Sequence, residues 1–552
     1  MRSKLGTGFC LAVFFIFLVF GNLYAQGQFT RLAEIPLPET DKNTGGIGNI
    51  IAGVDFDNDG KLEIYMVNDN WNDAADELIP RIYKLEKNGE NWDLVWQAVA
   101  PVPMQNTWPA LISGDIDKDN KMEIYWGVVN FTDAATNPNP KRILVYESAG
   151  DGSDVMGVSD GAGGYLPNAS WTITDSNNVN IRPTRFAIAD PDNDGTEELI
   201  FSDRAGNKGG YYCGIASVSN IPDNGDGSET WTLEASGLDY DLKAGTTENK
   251  WDVAVIGSNV YSFCEMEVTK FSWDGSSWIY EALSPMPGGS SFCGLSVVDL
   301  NNDGVKEIIT AVYDWGTDAF KAINLLQEDS DTLKLTQLAS VLGFWPSGSR
   351  GPMGTDYGDI DQDGNLDFVW GSRSSTPNAG IFRLAYRGGD ITNPANYEFS
   401  IIDSLYATGG IWNVIDITNI DSDPYLEVLY GSSTDAGVFP NLGTQPIVIL
   451  DYLPTAVEDV NKSVVTDFAL NQNYPNPFNP TTTIEFRIQK SETVKLTIYN
   501  LQGQEVAKLI DPRLAAGSYK AYFDAKNLPS GLYFYTLEAG QNRIQKKMIL
   551  SK

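Results

Sequence analysis

The chain of 552 residues carries 73 acidic against 38 basic side chains, a formal charge of −35, and no histidine. The missing imidazole excludes Ser-His-Asp and Cys-His nucleophiles, histidine acid–base chemistry and His-ligated zinc. The acidity argues against nucleic acid as a partner, which demands a basic footprint, and the length calls for two domains or a repeat fold.

At the N-terminus, Arg2 and Lys4 precede an apolar run over 9–20, and Leu23-Tyr24-Ala25 ends in a small residue. This pattern predicts a secretory signal peptide over 1–25, its apolar run too short to span a bilayer. No later stretch is apolar for long enough to predict a transmembrane segment. Charge is unevenly spread. Residues 464–552 hold 11 basic and 7 acidic side chains, and the leader holds two basic ones, so the −35 total leaves −41 on residues 26–463. Beyond Cys10 in the leader stand Cys213, Cys264 and Cys293, whose pairing stays open; the Cys213-Gly214 and Cys293-Gly294 contexts favour packed thiols on inner strands.

From Asp55 onward an acidic loop recurs between short apolar runs. Its acids at positions 1, 3, 5 and 9 are Asp55, Asp57, Asp59 and Glu63, then Asp115, Asp117, Asp119 and Glu123, then Asp190, Asp192, Asp194 and Glu198. The fourth copy has Asp299, Asn301, Asp303 and Glu307, the fifth Asp359, Asp361, Asp363 and Asp367. A degraded sixth has Asn419, Asp421, Asp423 and Glu427, with Pro424 where most copies have glycine. Starts are separated by 60, 75, 109, 60 and 60 residues, and the long gap accommodates a unit without an acidic loop that begins at Trp251-Asp252. Each unit reads as four short strands, rich in β-branched and aromatic residues, with no sustained helical period. The expected fold is therefore all-β: a seven-bladed β-propeller of four-stranded blades over 26–452, closed by pairing 29–35 with 447–452. A linker over 453–472 and a small Ig-like β-sandwich over 473–552 follow, with strands expected at 483–488, 494–499, 519–523, 531–537 and 544–550. All 14 tryptophans precede this module.

Asp-Gly at positions 5 and 6 is a strong turn signal and permits plain hairpins. A turn leaves the acids at positions 1 and 3 unexplained, however. Carboxylates converging on one tight loop repel each other, and a hard cation such as calcium relieves this. An EF-hand is excluded, because its twelfth position would fall on Met66 within a strand. Ca2+ is the expected cofactor, structural and present as several ions, with the sixth loop doubtful.

These loops resemble the FG-GAP repeats of integrin α-like propellers and their bacterial VCBS-repeat relatives over about residues 45–450. The resemblance implies that side chains at positions 1, 3, 5 and 9 and the carbonyl at position 7 ligate calcium on one face. It implies a ligand face opposite, where Trp108, Trp345, Trp412, Arg185 and Arg350 become candidate contacts, near Arg182, Trp126 and Trp370. Packing between blades is the competing role for these aromatics. The expected function is binding of a glycan or protein; the alternatives are a histidine-free polysaccharide lyase and a structural surface-layer protein.

The tail segment Asn473-Tyr-Pro-Asn-Pro-Phe478-Asn-Pro480, followed by Ile498-Tyr499-Asn-Leu-Gln-Gly503, Gly531-Leu-Tyr533 and Lys547-Met548-Ile-Leu-Ser-Lys552, resembles the type A C-terminal sorting domain of type IX (Por) secretion. This implies passage through the periplasm and outer membrane with the type IX machinery as partner. The protein would end up secreted or at the cell surface, where lipopolysaccharide is a candidate attachment.

Overall fold

The computed structural model describes residues 29–36, 38, 46–69, 79–101, 108–128, 141–173, 181–203, 213–237, 250–264, 268–283, 291–313, 322–329, 332–340, 350–374, 380–404, 410–421, 423–433, 447–452, 458–461, 468–489, 492–510, 513–514, 517–526 and 528–552. The expected signal peptide and Trp345 lie outside them. Among the described residues the one helical element is a single 3-10 turn, Pro394–Asn396.

The body is a succession of four-stranded antiparallel sheets. The first contains Gly46–Val54, Glu63–Asp69, Arg81–Asn88 and Asn91–Val99, and the second Ala110–Gly114, Glu123–Gly127, Ile143–Glu147 and Ala169–Trp171. The third runs Pro183–Ala189, Glu198–Asp203, Cys213–Ser219 and Thr230–Ser236, and the fourth Lys250–Ile256, Asn259–Cys264, Val268–Trp273 and Trp278–Leu283. The fourth is the expected unit without an acidic loop: Ile256 pairs directly with Asn259 across a two-residue turn. Next come Ser291–Val298, Glu307–Tyr313, Ala322–Asp329 and Thr332–Ser340, then Arg350–Gly358, Asp367–Ser374, Gly380–Tyr386 and Tyr397–Ser404. Finally Gly410–Thr418, Glu427–Ser433 and Ile447–Tyr452 take the N-terminal strand Phe29–Ile35 as their fourth member, Phe29 opposite Tyr452 and Ile35 opposite Ile447, and pairing of Arg373 with Ile411 and Ser374 with Gly410 joins these last two sets into one eight-stranded sheet.

Second and third strands are buried on both sides, as in Glu63–Asp69 and Gly380–Tyr386, because each sheet packs on two neighbours. Val67, Ile82 and Trp96 of the first sheet meet Ile124, Trp126 and Tyr146 of the second. Ile47, Ile64 and Met66 meet Val414, Leu429 and Ile449 of the last. Burial at this scale is the main favourable term in folding. First strands are also stitched across sheets by side chains accepting or donating at backbone groups. Asp252 Oδ2 accepts from Leu295 N at 3.1 Å, Asp356 Oδ2 from Ile417 N at 2.7 Å, and Asp416 Oδ2 from Ala52 N at 2.9 Å. Asn49 Nδ2 donates to the Pro109 carbonyl at 3.1 Å.

Two short sheets form the C-terminal module. One contains Glu458–Asn461, Gly517–Asp524, Thr481–Ile488 and Ala469–Leu470; the other contains Glu505–Ile510, Glu492–Tyr499, Gly531–Ala539 and Asn542–Leu550. The segment expected as a linker therefore contributes two strands, both too short to carry a period. Alternation in Thr481–Ile488 points Ile484, Phe486 and Ile488 inward. The proline-punctuated segment runs along an edge, where Phe478 N donates to Ile549 O and Ser551 N to Phe478 O, both at 3.0 Å. Phe478 itself is buried. Proline lacks the N–H a central strand requires, so an edge is where such a segment belongs. Cys213 is buried; the side chains of Cys264 and Cys293 lie outside the described residues.

Candidate metal-binding loops

Each acidic loop joins the first and second strands of its sheet, and one hydrogen-bond pattern shapes them. The position 1 carboxylate accepts the N–H groups of positions 5 and 6: Asp55 at 3.0 and 3.0 Å, Asp190 at 3.1 and 3.0 Å, Asp299 at 2.9 and 2.8 Å, Asp359 at 3.0 and 3.0 Å. In the second copy Asp115 accepts from Asn120 N at 3.1 Å. Position 3 accepts from position 5 in Asp57, Asp192 and Asn301, each at 3.1 Å. Position 5 accepts from position 7, as in Asp119 and Asp363 at 2.8 Å and Asp194 at 2.7 Å. The tight turn forces positive φ at position 6 (Gly60 at 87°, Asn120 at 72°), which is why glycine or asparagine stands there.

Position 9 opens the second strand and is buried in every copy: Glu63, Glu123, Glu198, Glu307, Asp367 and Glu427 are each at most 1% exposed. Its carboxylate accepts the N–H of position 2, from Phe56, Ile116, Leu300, Ile360 and Ile420, at 2.7–3.1 Å. In the third copy position 2 is Pro191, which has no N–H, and both Glu198 carboxylate oxygens lack a partner. A buried carboxylate without a compensating charge is costly and neutralises instead. Burial, reinforced by Asp117 and Asp115, pushes Glu123 up to about 9. Burial, reinforced by Glu234 and the loop aspartates, does the same to Glu198, also to about 9.

The donor sets fit a hard divalent cation. Asp115, Asp117, Asp119 and Glu123 each offer an oxygen, all within 4.8 Å of one another, and the sets Asp190, Asp192 and Asp194, and Asp55, Asp57 and Glu63, do likewise. Asp115 Oδ1, Asp117 Oδ1 and Glu123 Oε1 are buried without hydrogen-bond partners. Oxygen donors in this number are what calcium takes.

Two loops differ in a way the loop motif itself does not reveal. Lys84, 1% exposed along its side chain, places Nζ 2.6 Å from Asp57 Oδ2, 2.6 Å from Glu63 Oε1 and 2.9 Å from Asp154 Oδ1. Arg383, equally buried, pairs with Asp367 Oδ2 at 2.7 Å and with Asp361. Arg387 reaches Asp361 and Asp363 at 2.9 Å. Burial pushes Asp367 to about 6, with Arg383 opposing the rise. The available signal was a lone basic residue inside an apolar third strand, Ile82-Tyr83-Lys84-Leu85 and Ile381-Phe382-Arg383-Leu384.

The expected opposite-face residues do not form one described cluster. Trp108 is 7% exposed, so little of its ring is offered to a ligand. Arg185 Nε pairs with Asp252 Oδ1 at 3.2 Å, spanning the third and fourth sheets. Arg350 and Trp412 lie on the first strands Arg350–Gly358 and Gly410–Thr418, with side chains outside the described residues. Trp126 and Trp370 pack between sheets, and Trp370 Nε1 donates to Gly294 O at 3.1 Å.

Comparison with known proteins gives two family matches. Residues 472–551 match the secretion system C-terminal sorting domain, and residues 55–126 match the FG-GAP-like repeat. No curated protein matches the chain. Among solved structures, a fungal alcohol oxidase of the AA5 family is 9% identical over 94% of this chain and 100% of that one, with a TM-score of 0.41. PorZ, a surface component of the type-IX secretion system of Porphyromonas gingivalis, is 13% identical over 90% and 69%, at 0.29. NanB sialidase from Streptococcus pneumoniae is 12% identical over 76% and 70%, at 0.38. Likeness at these scores assigns no chemistry to this chain. No helix among the described residues is long and apolar enough to cross a membrane. The chain thus joins an acidic all-β body carrying an FG-GAP-like repeat to a type IX secretion C-terminal sorting domain, which marks it for export to the cell surface or the extracellular space.

Proposed function

We propose that the body is a calcium-braced, seven-bladed β-propeller, displayed or released at the cell surface to bind a glycan or protein without catalysis. Support for seven blades comes from the order of the first strands, which neighbour one another in sequence. The last returns to the first through Asp416 and Ala52. The single observation behind the calcium is buried carboxylate oxygen without a hydrogen-bond partner at the base of the loops, one oxygen on Glu123 and both on Glu198. A divalent ion there turns mutual repulsion among the loop acids into cross-bracing of the hairpin it occupies.

Metal analysis and thermal unfolding of the exported chain, with calcium and with chelator, test the brace. The expected result is bound calcium and a melting temperature that falls by many degrees in chelator. An unchanged melting temperature with no bound metal would reduce the loops to turns. Ligand binding is tested on a glycan array, alongside a polysaccharide screen for unsaturated products. Saturable glycan binding without products supports the binder, and ultraviolet-absorbing products would replace it with a lyase.

A further inference from the structure

The four loops with four carboxylates each fall into two pairs when followed out to the third strand. Two residues past position 9, Tyr65 lies opposite Lys84 and Val369 opposite Arg383, the same ladder position in two different sheets. In the second and third sheets that position is held by apolar residues: Tyr125 faces Val145 and Ile200 faces Ile215. A second cation joins each of the first pair. Lys61 Nζ lies 2.8 Å from Asp59 Oδ2, and Arg387 lies 2.9 Å from Asp363 Oδ2. Lys61 is half exposed and also lies 2.6 Å from Glu86 Oε1, and Arg387 also pairs with Glu398 at 3.0 Å, so the fixed charge in each of these loops is the buried Lys84 or Arg383.

Among the described residues the second pair has no buried cation between positions 3 and 9, of the kind that Lys84 and Arg383 are in the first. Lys121 pairs with Asp119 at 3.1 Å but is shared with Glu147 and Asp223, and it reaches none of Asp115, Asp117 or Glu123 among the described contacts. Among the described residues no basic side chain pairs with Asp190, Asp192, Asp194 or Glu198. Glu123 and Glu198 are fully buried, with one and two unpartnered oxygens respectively.

We propose that loops 55–63 and 359–367 have replaced the metal with a buried side-chain cation, Lys84 in the first and Arg383 in the other, while loops 115–123 and 190–198 are the ones that take a divalent cation. A buried ammonium or guanidinium held between positions 3 and 9 occupies the place where an ion would need the same oxygens, and two cations cannot share it. The metal-binding half rests on the calcium reading above; the side-chain half stands on the ion pairs themselves.

The test is calcium stoichiometry by equilibrium dialysis on the exported chain and its variants. Glu123→Gln and Glu198→Gln are each expected to remove one bound ion. Asp57→Asn and Asp361→Asn are expected to leave the count unchanged, and Lys84→Met to raise it by one. Loss of an ion in Asp57→Asn or Asp361→Asn overturns the proposal even if Lys84→Met fails to fold, and retention of every ion in Glu123→Gln and Glu198→Gln does the same. Absence of bound calcium from the unaltered chain defeats the calcium reading itself, an outcome distinct from either.

Discussion

Asp356 and Asp416 lie three residues before position 1 of their loops, on neighbouring first strands, and each accepts a backbone N–H from the next sheet. That stitch carries a charge penalty. Burial pushes Asp416 well above the ordinary carboxylate range, with the Asp356 charge adding to it, and burial pushes Asp356 to about 6. Unfolded, both titrate near about 3.9. A raised folded-state value means that the native protein binds the proton more tightly. Their contribution is thus most favourable below pH about 4 and is lost as pH rises through 6 and beyond. Asp416→Asn keeps the acceptor for Ala52 N and removes the charge. It is expected to gain on the order of 1 kcal/mol over the unaltered chain at pH 7.5, with the difference vanishing near pH 4, as measured by denaturant unfolding across that range.

Hairpins with an acidic loop are the repeating element, and their glycines separate two kinds of constraint. Gly60 has φ at +87° but open space around its α-carbon, so Gly60→Ala costs only backbone strain, about 1–2 kcal/mol. Gly53, at φ +68°, would drive a methyl to 2.0 Å from Thr418 Oγ1 on the neighbouring sheet. Gly53→Ala is expected to cost several kcal/mol more than Gly60→Ala, and equal melting temperatures for the two variants would contradict the packing of these strands. Much of the hairpin was legible in sequence. The acids at 1, 3, 5 and 9, the turn residue at 6 and the strands on either side follow from local chemistry, and the pairing expected between 29–35 and 447–452 is found there. What escaped depends on partners distant in sequence or on strands too short to show a period. Lys84 meets Asp57 only because the third strand folds back beside the second. Asp416 meets Ala52 only because the last sheet returns to the first. The hairpin of Val158–Ser159 with Tyr165–Leu166, which lengthens the second unit, and the strands at 458–461 and 469–470 give no pattern to read.

At the scale of the molecule, Phe29–Ile35 supplies the fourth strand to a sheet otherwise made at the end of the body. Arg31 reinforces the join, with Nε 3.0 Å from Asp403 Oδ2. Deletion of residues 29–35 leaves Ile447–Tyr452 as a bare edge, and the expected outcome is loss of a single cooperative melt together with early proteolysis near the exposed strand. Native-like melting of the deletion variant would show that closure contributes little. The same join orders events along the chain. Bringing such distant ends together costs roughly 5 kcal/mol in loop entropy, recovered only once the final body strand exists. The sorting domain is encoded after that strand. A chain that stops short of Ile447–Tyr452 therefore loses the sorting domain together with the closing strand, so closure and the export address are gained in the same stretch of synthesis.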